Sequence, residues 1–173
     1  VIVHAPSDTM KFYQEHPARL AMLRIPRAEP PAPLALSDPK LPIDDSDGGC
    51  DTPGDNPHRA WTRQHPALRI ADTDFISDNG REVYSLFQWR GIGAMLIMGV
   101  HTNMCVLNRS FAIRQMTRWG VRCILVRDLT DAMYDPRDAP YVSHEEGTEL
   151  VIQHIERYWA PTVLSDQLMK LLR

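Results

Sequence analysis

The chain has 173 residues, 43% of them apolar and 24% charged, with a formal net charge of −3 at pH 7. This length and balance fit one ordinary globular domain with a core of its own, and they carry no basic footprint for nucleic acid, no apolar run of membrane-spanning length and no visible signal peptide. The three cysteines, Cys50, Cys105 and Cys123, are odd in number and widely spaced, which argues against a disulfide framework or a zinc site and for a reducing, cytoplasmic setting.

Val1-Ile2-Val3-His4 reads as a buried strand. Residues 26 to 66 differ in character, holding nine of the fourteen prolines and an acidic cluster of Asp44, Asp45, Asp47, Asp51 and Asp55. That composition predicts a long loop inside one domain rather than a second domain. The spacing of its acids fails the EF-hand pattern, so a solvated acidic loop is expected. Trp61, between His58 and His65, is placed to act as a lid or to pack on a neighbouring subunit.

Ala67-Leu68-Arg69-Ile70-Ala71 alternates like a strand, and Asp78-Asn79-Gly80 is a turn before a helix over 81–90 that Gly91 closes. Residues 94–98 are apolar throughout, the pattern of a parallel strand covered on both faces. The next helix carries Met104, Leu107 and Phe111 on one stripe and Ala112, Met116 and Trp119 on another, and ends at Gly120. A strand over 121–126, a polar connection containing Asp135-Pro136 and an amphipathic helix through Leu150, Ile152, Ile155 and Tyr158 complete the order. Alternating strands and helices predict a three-layer, Rossmann-like parallel α/β sheet with helices on both faces. Sites in such sheets form at the carboxyl ends of the strands, where Cys105 falls.

Cys105 stands at the first turn of its helix, with Thr102 or Asn103 as the N-cap. Unpaired backbone N–H groups and the helix dipole both favour a thiolate there, and those donors can also receive an oxyanion. The competing reading is a small buried apolar side chain. Cys123, in mid-strand, is read as structural, and His144, just before a helix, as a cap or packing group.

The block Gly99-Val100-His101-Thr102-Asn103-Met104-Cys105-Val106, the helix after it, and Gly120 leading into a strand that reaches Arg127-Asp128 resemble the isochorismatase-like cysteine hydrolase superfamily. The likeness takes in the helix at 81–90, Gly91-Ile92 and Ser143-His144-Glu145, so it covers about half the chain. The segments around His4 to Met10, Cys50 to Asp55 and Ile76 to Gly80 are similar to a bacterial subgroup of that superfamily. The resemblance implies hydrolysis of a small amide or related C–N bond through a Cys105 thioester, with no cofactor and a homo-oligomeric assembly. It implies an oxyanion held by the N–H groups of His101 and Cys105, a cis Val100–His101 peptide that aims the first of them, and an aspartate and a lysine beside the cysteine. It also makes Val1–His4 the second strand of the sheet, so that the first strand and its aspartate are expected upstream.

Departures from the pattern matter for the reading. None of the three lysines, Lys11, Lys40 and Lys170, lies at the expected strand end; Asp72 falls there instead, and Arg69 is the nearest cation. Arginine supplies charge but transfers no proton at ordinary pH. His4 and Asp8 occupy the region where nicotinamidases hold a metal, yet the ligand pattern is incomplete, so these two, with Asp72 and Thr102, are read as substrate contacts and no metal is expected. His101 either faces the pocket or is satisfied by backbone. The alternative function is a non-catalytic small-molecule binder on the same fold. A flavodoxin-like or nucleotide-binding domain ranks third, because no glycine-rich phosphate loop is present.

Overall fold

The computed structural model describes residues 1–48 and 61–171. The motif Cys50 to Asp55 and His58 lie outside them. Two compact units make up the chain, one formed by Val1–Pro31 and Gly54–Ile92, the other by Ala32–Pro53 and Gly93–Arg173. Each contains a parallel sheet flanked by helices, two-stranded in the first and three-stranded in the second, so the architecture is mixed α/β.

In the first unit β1 (Val3–His4) pairs in parallel with β2 (Phe75–Ile76), setting Val3 beside Phe75 and His4 beside Ile76. Val1 and Ile2 are exposed, so only part of the expected first strand is strand, and it is not buried. The alternation at 67–71 forms no strand either; β2 begins four residues later, at Phe75. A 3-10 turn at Ser7–Phe12 leads to α1 (Pro17–Leu23), where the His16 side chain accepts the Ala18 N–H. Met10, Tyr13, Ala18 and Ile76 cluster, with Ile70 against them. The helix α2 (Gly80–Arg90) starts where Asn79 accepts the N–H groups of Arg81 and Glu82, and ends at Gly91 in the left-handed conformation. Its buried Val83, Leu86 and Phe87 follow the spacing the sequence shows.

In the second unit β3 (Ala94–Val100), β4 (Arg122–Asp131) and β5 (Thr162–Val163) are all parallel, in that order. Among the described residues β3 pairs only with β4 and forms an edge. Leu96, Met98 and Val100, which share one face of the strand, are 42%, 48% and 58% exposed. This corrects the expectation of a strand covered on both faces. The single helix expected after Cys105 is also broken, into α3 (Cys105–Asn108) and α4 (Ile113–Arg118), with Arg109 extended between them. At this break the Asn108 side chain folds back and donates to the Asn103 carbonyl at 2.7 Å. Leu107, Ile113 and Met116 remain fully buried, each such side chain contributing roughly 1.5–3 kcal/mol of transfer free energy.

The helix α5 (His144–Tyr158) opens on a capping box between Ser143 and Glu146 and buries Val151, Ile152 and Ile155, and α6 (Ser165–Leu171) follows β5. The proline-rich stretch before residue 49 forms no helix or strand and is mostly exposed, as expected of a solvated loop, with Asp44 and Asp47 exposed and Asp45 half-buried, and it is tied down at a few points. Asp38 accepts from Arg114 and Arg118, both at 2.9 Å, and the Leu34 N–H donates to the Arg118 carbonyl at 2.8 Å. Both guanidinium groups lie over the ring of Trp159, at 5.4 and 5.3 Å from its centroid. Trp159 is buried.

Candidate functional site

At the carboxyl end of β3 the ladder jumps register: Ile97 faces Leu125 on β4, whereas Gly99 faces Thr130 and Val100 faces Asp131. Gly99 sits at the jump with φ +123°, a backbone conformation side chains rarely adopt; no atom lies within 4 Å of a would-be Cβ, so the demand is conformational and not steric. The Val100–His101 peptide is cis. From there the chain turns through Thr102, Asn103 and Met104 into α3, whose first residue is Cys105.

Four hydrogen bonds fix that turn. The Thr102 N–H donates to the Asp131 carbonyl at 2.9 Å, and the Thr102 and Thr130 hydroxyls pair at 2.7 Å. The His101 carbonyl accepts from the Met104 and Val106 N–H groups at 3.2 and 3.1 Å. Met104, with no side-chain bond, is the N-cap in place of Thr102 or Asn103. Among the described residues, no hydrogen bond is made by the N–H of His101 or of Cys105. Two donors thus stand uncommitted on either side of the turn. Cys105 is a free, half-buried thiol, as accessible to a small reagent as such burial permits.

Asn103 anchors the turn from beneath. It is fully buried; its Oδ1 accepts the Met133 N–H at 2.9 Å, which turns Nδ2 toward the Met133 carbonyl at 3.0 Å and the Asp45 carboxylate at 2.8 Å. Neither Asn103 nor Asp45 was singled out as a site residue from sequence. Their contact spans 58 residues, and no spacing signals it.

His144 is a second residue whose surroundings the sequence did not disclose. It stands at the first position of α5, its Nδ1 3.0 Å from the Tyr134 carbonyl and its Nε2 2.9 Å from Asp131. With an acceptor at each nitrogen the doubly protonated ring is favoured. The carbonyl of Tyr134, and then Asp131, raise its pKa above the ordinary histidine value. Cys123 is buried, and burial pushes its thiol up to about 11.

The remaining expected site residues divide between the units. Cys105, His101, Val100 and Thr102 come together at the end of β3, but the Thr102 hydroxyl is spent on Thr130, so its side chain is fixed between strands. His4, Asp8, Arg69 and Asp72 belong to the first unit. There the His4 ring lies 3.0 Å from Asp74 and 3.2 Å from Gln64, so both nitrogens are engaged within the unit. Burial pushes the Asp74 carboxyl up, but the Ala71 N–H and His4 outweigh it and the net shift is downward. Asp8 is exposed in the turn after β1, Asp72 is exposed in the turn before β2 rather than at its carboxyl end, and Arg69 is an exposed loop residue instead of a strand cation. Trp61 is 77% exposed. Among the described residues, no group of three or more His, Cys, Asp or Glu side chains could hold a metal ion, and no helix is long and apolar enough to cross a membrane.

Comparison with protein-family models, with curated proteins and with solved structures found no match to this chain.

Proposed function

We propose that the chain is a cysteine hydrolase of the isochorismatase-like class, acting on a small amide or related C–N substrate. The observation that carries the reading is the half-buried Cys105 thiol at the carboxyl end of β3, flanked by the uncommitted N–H groups of His101 and Cys105. In this reaction Cys105 Sγ attacks the carbonyl carbon and its proton passes to a base. The carbonyl oxygen takes up negative charge against the two N–H donors. The C–N bond then breaks, nitrogen leaves with the proton, and a thioester remains. Water adds to the thioester and releases the acid, restoring the thiol.

The base in this reading is the aspartate that the sequence resemblance implies beside the cysteine. A second reading, a binder without catalysis, has its own support: no lysine occupies the expected strand end, and no carboxylate is hydrogen-bonded to Cys105 among the described residues.

Ammonia release from a panel of small primary amides and N-carbamoyl compounds, before and after treatment with iodoacetamide near neutral pH, separates the two. The hydrolase releases ammonia, loses that activity on alkylation at Cys105, and shows no label on Cys123. Activity that survives Cys105→Ala refutes the mechanism, and ligand retention without any ammonia release favours the binder.

A further inference from the structure

The polar contacts around α3 close into a ring. Asp38 holds Arg114 at 2.9 Å, Arg114 donates to the Asn108 Oδ1 at 2.5 Å, Asn108 donates to the Asn103 carbonyl at 2.7 Å, and Asn103 donates to Asp45 at 2.8 Å. Asp38 and Asp45 belong to one segment, 32–48, and between them they grip the helical turn that begins with Cys105 from both ends. We propose that this segment is a clamp on the Cys105 turn, with Asp45 a positioning residue that acts through Asn103.

Three features make the clamp specific. The Asn103 amide is locked in orientation by the Met133 N–H, so its second amide hydrogen needs an acceptor, which Asp45 supplies. Asn103 lies two residues from Cys105, inside the turn whose His101 and Cys105 N–H groups are uncommitted. The other end of the segment is held independently, by Asp38 on Arg114 and Arg118 and by Leu34 on the Arg118 carbonyl. Losing the Asp45 contact therefore loosens the turn without detaching the whole segment. Asp44, next in the chain, is directed elsewhere: its carboxylate accepts the Ser46 N–H at 3.0 Å and its own N–H donates to the Ala139 carbonyl at 2.8 Å.

The catalytic meaning of the clamp rests on the hydrolase reading, but the clamp itself is measurable on the thiol without any substrate. The experiment compares rates of iodoacetamide labelling at Cys105 and Cys123, resolved by peptide mass mapping, in the wild type, Asp45→Ala, Asp38→Ala and Asp44→Asn. Loss of a charge-assisted anchor raises the population of the opened turn, so Asp45→Ala is expected to label Cys105 about tenfold faster. Asp38→Ala moves the same way, Asp44→Asn leaves the rate unchanged, and Cys123 stays unlabelled in all four proteins. The clamp is overturned by an unchanged Cys105 rate in Asp45→Ala, by an equal rise in Asp44→Asn, which reports charge alone, or by joint labelling of Cys123, which reports general loosening. Failure of the hydrolase reading looks different: no Cys105-dependent ammonia release, with the labelling pattern intact.

Discussion

Replacing Gly147 with alanine tests how tightly α5 is seated on the chain after β4. In an exposed helix this change stabilises by about 0.5–1 kcal/mol, because alanine has less backbone freedom to lose. Here the new Cβ would stand 2.3, 2.7 and 3.0 Å from three atoms of the Tyr134 ring. Ordinary carbon contacts begin near about 3.5 Å, so the ring must move by more than about 1 Å. It has nowhere easy to go: Tyr134 is 3% exposed, and its hydroxyl donates to the Asp138 carbonyl at 2.8 Å and accepts the Val142 N–H at 3.3 Å. Overpacking of this kind costs about 1–3 kcal/mol, and a strained or broken hydroxyl contact adds about 1 kcal/mol. After the propensity gain is subtracted, Gly147→Ala is expected to destabilise by about 1–3 kcal/mol, lowering the urea midpoint by about 1 M. The same change in a Tyr134→Ala background, where the ring is gone, should stabilise. A Gly147→Ala protein as stable as the wild type, or the same sign in both backgrounds, would refute the packing argument.

Asn79→Ala removes the acceptor of two N–H groups at the start of α2 and should cost about 1 kcal/mol in urea unfolding, with α2 fraying first in hydrogen exchange. His144, whose folded pKa is raised, contributes stability that is complete below the ordinary value of 6.5 and is lost as pH rises through the folded value. The stability gap between the wild type and His144→Asn should therefore widen on going from about pH 8 to about pH 6. His154 has the opposite sign: burial, then Arg114, lower its folded pKa, so the unfolded chain takes up a proton first and the wild type loses stability below 6.5. Relative to the wild type, His154→Leu should gain stability as pH falls from about 7 to about 5, and a parallel pH profile for both proteins would refute the assignment. Arg127→Ala removes contacts from β4 to Glu149 at 2.7 Å and Glu156 at 3.0 Å on α5; at this exposure the loss should be no more than about 1 kcal/mol, and smaller in high salt.

What the sequence disclosed, and what it did not, follows from the range of each signal. The helix α2 carries its own punctuation, an Asn cap, an i, i+3, i+4 apolar face and a terminal glycine, and it lies within a residue of the expected bounds. The strands β3 and β4 begin within a residue of the expected bounds, as apolar runs after glycines, but they end at Val100 and Asp131, beyond the expected 98 and 126, because the polar residues that close β4 give no apolar signal. By contrast β2 has two residues, too few for a period of two to register, and Ala67–Ala71 imitated a strand by short alternation alone. The apolar stripes after Cys105 persisted through Met116, but they cannot report that the backbone turns extended at Arg109 and divides the helix. Within the acidic cluster Asp45 holds a distant side chain, Asn103, and a partner 58 residues away leaves no local signal. In the candidate site, the place of Cys105 on its turn was legible from local pattern, whereas Asp45 and the surroundings of His144 depend on tertiary contacts.

The proline content of segment 32–48 bears on how so irregular a stretch can be held by so few anchors. Pro33, Pro39 and Pro42 fix φ at three positions, and the residue before each is biased toward extended backbone. Much of the disorder that a glycine- or serine-rich tether would surrender on docking is absent from this one before it docks, and each fixed position spares the folded form about 0.4–1 kcal/mol. A ribbon pre-stiffened in this way lies down without a ladder of backbone bonds, and it can do so beside the Cys105 turn without drawing that turn into a sheet.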